Sequence, residues 1–511
     1  MPRSWRVGLA IASVIVLALV VSPLAYIGFA IFRDPGAAWS AAARADVWML
    51  TARSITLAAC VTVSALALAT LLAWLIARTD TPGGRHWLIP LALPLAAPSF
   101  LVAEAYRGAL GVDGFLGAWL AMTLITYPYA LLPLVAALRR INQDLELAAR
   151  SLGLGPWRGF WSATLPQILP TLEWTGLLIG LYALSDYGCV AILEVKVLTF
   201  AIESRRAAFD PAGAAALSGV LSLLALLCLL GIGRLRGSRG AGTADAQTEP
   251  ISIRIPLRVW KLPASLLCAG TVAIAVGLPF AMALSWWTTG LEHSSETIRS
   301  TILPALTPAA RTLQVSLITA VIAAIAALPI TLIIHRGEYV RGRSWMERFG
   351  ALALIGYGLP GVVIGFALVR IGLETQGLFG LYQTLPLLLA AYAIKCVAEA
   401  LGPATAAARR LHTDRLDAAI GLGASFTRTW VRVGWPAIAP GVAAGAALAF
   451  LTVVKELPIT LILRPTGFDT LAFELFDLLN EARHMAAAPM ALMMLIVSSA
   501  VVWVLVGAFK E

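Results

Sequence analysis

Long apolar runs, separated by short polar clusters, recur from one end of this chain to the other. Runs of roughly 20 residues match the length needed to cross about 30 Å of hydrocarbon. They predict about twelve spans, at about 7–31, 53–77, 87–107, 116–138, 168–190 and 212–232, then about 263–287, 311–334, 350–371, 383–405, 438–460 and 488–508. The expected fold class is an all-α polytopic membrane protein. Between the two sets of six, a stretch containing "GRLRGSRGAGTADAQTEP" is too polar and glycine-rich to bury a core and reads as a flexible linker. The expected organisation is a first half over 1–235, a cytoplasmic linker over 236–261 and a second half over 262–511.

The two halves are direct repeats. "ALRRINQDLELAARSLG" (Ala137 to Gly153) aligns without gaps on "AARRLHTDRLDAAIGLG" (Ala407 to Gly423), an offset of 270 residues. Pro133/Pro403, Pro166/Pro436 and Pro170/Pro440 keep that offset. Six spans per half is an even number, so both halves begin on the same side of the membrane. The pseudo-twofold axis is then expected along the membrane normal, with a pathway between the halves.

Composition agrees with a membrane protein and changes little else. Hydrophobic residues make up 59% of 511 and charged residues 13%, about half the charge of an ordinary soluble domain. The net charge of +10 is dispersed between apolar runs, so a positive-inside bias explains it better than nucleic-acid binding. Placing both termini in the cytoplasm puts the larger share of Lys and Arg there, and both repeated polar segments with them. The apolar run after Arg3 and Arg6 is too long for a signal peptide and reads as an uncleaved first span. The five cysteines have no metal-ligand spacing and read as small buried hydrophobes. None of the five lysines follows glycine in a G-x-x-x-x-G-K-[ST] frame, so no Walker A loop is present in the sequence.

The repeated polar segments, about 144–166 and 414–436, are too polar to cross the membrane. Each reads as two short helices joined at a glycine, Gly153 or Gly423, which can take the left-handed conformation that ends a helix. In the first copy the helices are expected over Asp144 to Leu152 and Pro156 to Thr164. Paired alanines, Ala148-Ala149 and Ala418-Ala419, allow close approach to another surface. A pair of short exposed helices is a docking knob.

This pattern resembles the EAA loop of ABC-transporter permeases: Glu-Ala-Ala, three residues, Gly, nine residues, Ile-x-Leu-Pro. Leu147-Ala148-Ala149, Gly153 and Ala163-Thr164-Leu165-Pro166 fit that spacing, as do Asp417-Ala418-Ala419, Gly423 and Val433-Gly434-Trp435-Pro436. The first copy has Leu147 in place of Glu, with Glu146 adjacent, and the second has Asp417. The resemblance implies the type I ABC importer permease fold. It also implies a transport subunit with no catalytic site or cofactor of its own, because ATP and Mg would be bound by the partners. Those partners would be two copies of an ABC ATPase subunit, seated at Glu146, Ala148, Ala149 and Gly153 in one loop and Asp417, Ala418, Ala419 and Gly423 in the other.

Beyond each loop, "ALSDYGCVAIL" (Ala183 to Leu193) and "VVKELPITLIL" (Val453 to Leu463) place Asp186 and Glu456 at equivalent positions. Fifteen helical residues from Pro440 to Lys455 climb roughly 22 Å, so these carboxylates are expected in the periplasmic half. Gly188 and Pro458 interrupt the helices there, and ionisable groups at that depth are functional candidates. Asp186, Lys455 and Glu456 are therefore candidate pathway residues, with an inter-helix clamp through Lys455 as the structural alternative. Lys395 and Glu399, four residues apart, can lie on one helix face and form an intramembrane salt bridge. Glu104 and Arg107 are expected at the membrane interface.

The stretch "KELPITLILRPTGFDTLAFELF" (Lys455 to Phe476) and the first-half "LSDYG" (Leu184 to Gly188) resemble fused ferric-iron permeases. That resemblance implies a multi-pass protein of the bacterial inner membrane, with a periplasmic iron-binding protein as a further partner and no nucleic acid. Hard cations prefer oxygen ligands, which suits carboxylates; no metal-binding residue is assigned within the chain. Thiamine permeases share the fused plan, and polyamine, sulfate and phosphonate permeases share the loop. An ion-coupled secondary transporter of two six-span halves is the rival from a different class.

Overall fold

The computed structural model describes residues 3–238, 255–293, 298–337, 352–353, 355–411 and 413–508. Among them, ten helices are long and apolar enough to cross a membrane. A bent pair, Gly84–Ala96 with Ser99–Leu110, makes an eleventh candidate. At the position of the expected ninth span stand the short helices Ile355–Gly358 and Gly361–Glu374, and part of the segment before them lies outside the described residues.

The 96° bend in the third span has a local cause. Pro98 has no amide to donate, and it forces the residue before it away from the helical region. Ala97 is accordingly extended, with φ −79° and ψ 134°, and the helix restarts at Ser99 with Pro98 as its N-cap. Pro360 starts the helix Gly361–Glu374 in the same way.

The chain forms two compact units, and these are not the two sequence halves. One comprises 1–47, 201–222 and 295–481; the other comprises 48–200, 223–294 and 482–511. In the first unit the helices Ile298–Gly337, Leu385–Arg409 and Trp435–Val454 pack together, and the N-terminal helix Arg3–Arg33 lies against the first of them. In the second, Gly114–Arg139 packs on Leu165–Ser185, while Leu278–His293 packs on His484–Ala508 and Ser99–Leu110. Each unit thus takes its inner helices from one repeat and helices at the repeat ends from the other. Apolar faces of this kind bury against any matching surface, so hydropathy alone does not choose between partners.

Close packing in the first unit depends on small residues. A Cβ on Gly441 or Gly445 would fall within 2.6 Å of the Leu385–Arg409 helix, against Pro403 and Ala400 backbone atoms. Small residues of this kind let membrane helices approach backbone to backbone.

The segment joining the repeats is ordered at its end. Ile255 forms a parallel bridge with Thr79, and Lys261 begins the next helix. Lys261 Nζ lies 2.8 Å from Asp80 Oδ2, and the Leu257 amide donates to Asp80 Oδ1 at 2.7 Å. The Lys261 ammonium, then the Leu257 amide, hold the Asp80 carboxyl below its ordinary range. Residues 239–254 of the expected linker lie outside the described residues.

Candidate functional site

The repeated polar segments fold alike. The first runs Gln143–Ser151, turns at Gly153, and resumes as helix at Pro156; the second runs Thr413–Gly421, turns at Gly423, and resumes at Phe426. Asn142 accepts the Asp144 amide at 2.9 Å, satisfying one orphan donor at the start of the first helix. Gly153 has φ +75° and Gly423 has φ +87°. The Leu154 amide donates to Ala149 O at 3.1 Å, and the Ala424 amide to Ala419 O at 3.2 Å. These are the six-to-one bonds of a Schellman cap, which needs a left-handed residue at the glycine position.

The expected second short helix is not a separate element. Pro156–Gly159 continues through a π-helical turn, Phe160–Thr164, into the span Leu165–Ser185. The second copy does the same through Trp430–Gly434. Pro166 and Pro436 follow, each separated from its turn by one residue. A proline lacks its amide and its ring crowds the carbonyl four residues back, so the wider turn accommodates both effects.

The outer surface of each loop is apolar at matching positions. Leu152 is 78% exposed and Leu422 is 89% exposed, each just before its glycine. Ala148 and Ala418 are also exposed, whereas Ala149 is buried. The Asp417 side chain lies outside the described residues.

The loops are anchored differently. In the first, Glu146 turns inward, ion-paired with Arg78 NH2 and accepting from Thr164 Oγ1 at 2.8 Å. Both Arg78 and Glu146 are largely buried. In the second, the matching residues are Leu416 and Gly434. Leu416 and Trp430 pack against an apolar cluster of Ala404, Ala408, Leu411, Ile438 and Val442. The Trp430 ring occupies the space where a side chain at position 434 would stand. Arg78 was not singled out in the sequence, because an arginine ending a span looks like ordinary positive-inside charge. The available signal was Arg348 at the same repeat offset; it lies outside the described residues.

The two candidate carboxylates sit at equivalent breaks and cap the short helices that follow. Asp186 Oδ1 accepts the Cys189 amide at 2.9 Å, and Glu456 Oε1 accepts the Ile459 amide at 3.4 Å. Cys189 and Ile459 are themselves repeat equivalents. Around Glu456 the site is charged. Its Oε2 pairs with Lys395 Nζ, with side-chain exposures of 5% and 18%. Glu399 accepts from Thr452 Oγ1 at 2.7 Å, and Tyr392 OH lies 2.6 Å from Thr460 Oγ1. Lys395 therefore reaches across to Glu456 rather than along its own helix to Glu399. The first repeat has Ile125 and Tyr129 in place of Lys395 and Glu399.

Gly361 completes this site. An ideal Cβ there would fall 2.6 Å from Glu456 Oε1 and 3.0 Å from Pro458 Cγ. The start of the helix Gly361–Glu374 is thereby brought against the carboxylate, where the helix dipole favours negative charge. Gly361→Ala is expected to lower membrane abundance or uptake several-fold, while Gly377→Ala, at an open position, leaves both unchanged. Western blotting and uptake in the same membranes measure this.

A second charged cluster lies in the other compact unit. Glu104 is buried within the protein, and pairs with Arg107 NH2 at 2.6 Å and His484 Nε2 at 2.8 Å. Arg107 NH1 also donates to Ile192 O at 2.9 Å, and the Trp286 ring lies 5.0 Å from that of His484. Among the described residues, no three His, Cys, Asp or Glu side chains converge as a metal site.

Comparison with known proteins gives this arrangement a family. Residues 58–235 match the family described as the binding-protein-dependent transport system inner membrane component. A ferric-iron transport system permease protein of Haemophilus influenzae is 29% identical over 463 residues, covering 89% of each chain. A sulfate transport system permease protein of Escherichia coli is 26% identical over 192 residues, 33% of this chain and 69% of its own. A probable sulfate transport system permease protein of Chlorokybus atmophyticus is 28% identical over 222 residues, 37% and 76% respectively. Residues 58–235 thus match the inner membrane component of a binding-protein-dependent transport system, and along most of its length the chain is similar to a multi-pass ferric-iron permease.

Proposed function

We propose that this permease imports ferric iron by alternating access, driven by two copies of an ABC ATPase subunit and supplied by a periplasmic iron-binding protein. The observation that carries the ATPase part is the pair of loops with matching left-handed glycines and matching exposed leucines. Coupling residues are Glu146, Ala148, Ala149 and Gly153 in one loop and Asp417, Ala418, Ala419 and Gly423 in the other. The termini and both loops face the cytoplasm in this reading, the ATP and Mg belong to the partner, and the permease itself catalyses nothing. Iron is favoured as cargo because the ferric-iron relative aligns along most of the chain, whereas the sulfate relatives cover about a third of it. Asp186 and Glu456 supply hard oxygen donors for such a cation along the passage, with Lys395 and Lys455 beside them in sequence or space.

Leu152→Asp and Leu422→Asp test the docking surface. Both side chains are mostly exposed, so folding should be unaffected. Burying an aspartate in an apolar partner groove should remove an anchor contact of about 2 kcal/mol or more, which is about 30-fold in affinity. Co-purification of the ATPase subunit with the tagged permease reads this out. Retention equal to that of the unmodified protein in both variants would end the docking assignment.

A further inference from the structure

Glu146 stands beside the position where the loop pattern has its acid, yet it faces inward. Its carboxylate is shared by Arg78, from the last turn of the span Ala45–Arg78, and Thr164, from the π-turn. Arg78 is held in turn by the end of the repeat-joining segment. The Ile255 amide donates to Arg78 O at 2.8 Å, and the Asp80 amide donates to Ile255 O at 3.3 Å. Asp80 then takes the Leu257 amide and the Lys261 ammonium. The turn itself is braced internally: Thr79 Oγ1 donates to Leu75 O at 2.6 Å and lies 2.7 Å from Thr81 Oγ1. A continuous set of contacts thus runs from the joining segment, through Arg78, to the first loop.

We propose that Arg78 is a positioning residue that sets the first coupling loop through Glu146 and ties it to the segment joining the repeats. This role rests on the loop being a coupling element, as proposed for its function. The second loop has no matching carboxylate at position 416 and no hydroxyl at 434; its anchor is the apolar cluster around Leu416 and Trp430. The two loops therefore respond to different perturbations. Loss of charge at Arg78 or Glu146 loosens the first alone, because a largely buried ion pair that loses one partner leaves the other charge uncompensated. The segment Ile255–Lys261 acts at a distance, since removing Asp80 frees the strap that fixes the Arg78 backbone.

Hydrogen exchange on the intact permease–ATPase complex tests the proposal, with the amides of 144–154 and 414–424 followed separately. Arg78→Glu and Glu146→Arg should each speed exchange in 144–154 by about ten-fold or more and leave 414–424 unchanged. The reversed pair, carrying both substitutions, should restore slow exchange and ATPase retention together. Asp80→Ala should move 144–154 in the same direction by a smaller factor. Should the charge reversals fail to assemble, Glu146→Gln keeps the shape and removes the charge, and should still speed exchange in 144–154. Unchanged exchange in Glu146→Gln, equal acceleration of both loops, or no recovery in the reversed pair would overturn the proposal. Recovered exchange without any change in ATPase retention would remove Arg78 from coupling. Leu152→Asp then separates the readings: if it releases the ATPase subunit, docking at the loop stands although the clasp does not matter to it.

Discussion

Valine at Gly423 is expected to stop ATP-driven uptake while the permease remains in the membrane. The reason is conformational rather than steric. Gly423 sits at φ +87° and Gly153 at φ +75°, and a Cβ at either position would meet nothing within 4 Å. Space is available; the backbone conformation is what a β-branched residue resists, at roughly 1–3 kcal/mol. Relaxation to a right-handed conformation would remove the hydrogen bonds that the Leu154 and Ala424 amides donate to Ala149 O and Ala419 O, and would turn Leu152 or Leu422 away from its present direction. Asparagine tolerates the left-handed region, so Gly153→Asn and Gly423→Asn should keep much of the activity that valine loses. Uptake in Gly153→Val, Gly423→Val and the two asparagine variants, normalised to membrane abundance, measures the effect. Equal activity in the valine and asparagine variants would show that the left-handed cap is not what transport needs.

The second large effect concerns Lys395 and Glu456. Breaking a buried ion pair by removing one partner costs about 3–5 kcal/mol, because the remaining charge is left without compensation. Lys395→Met and Glu456→Leu should therefore each lower the amount of folded permease. Combining them should restore abundance, since an apolar pair of similar volume is tolerated where the ions stood. Restored protein separates two roles for the carboxylate. A simple clamp predicts recovery of uptake with abundance; a passage carboxylate predicts a folded double variant that stays inactive. With Glu456 on the passage, the second outcome is expected.

The sequence made the repeated features legible because a duplicated chain shows each of them twice. Apolar runs located ten of the expected spans as continuous helices, and the glycine ends of the polar segments could be recognised from their position before a resumed helix. Equivalent carboxylates beyond the loops were visible for the same reason. Features that break the repeat were harder to read. Lys395 has Ile125 as its counterpart, so only the fold reveals that it joins Glu456, 61 residues along the chain. Glu146 has Leu416 as its counterpart, and its turn toward Arg78 depends on packing of a span end against a loop. Hydropathy predicts that the N-terminal helix is apolar, but not that it packs with helices of the second repeat. The third expected span, about 87–107, read as continuous from its hydropathy, whereas the chain bends there by 96° at Pro98.

The most direct measurement is iron uptake into proteoliposomes containing this permease, with and without its ATPase subunit. Binding protein carrying Fe(III) is supplied outside and ATP is enclosed. An ATP-driven importer takes up iron only when the ATPase subunit and ATP are both present, holds two ATPase subunits per permease in the purified complex, and is unaffected by collapse of the ion gradients. Gradient-driven uptake by the permease alone would contradict that mechanism and favour an ion-coupled secondary transporter.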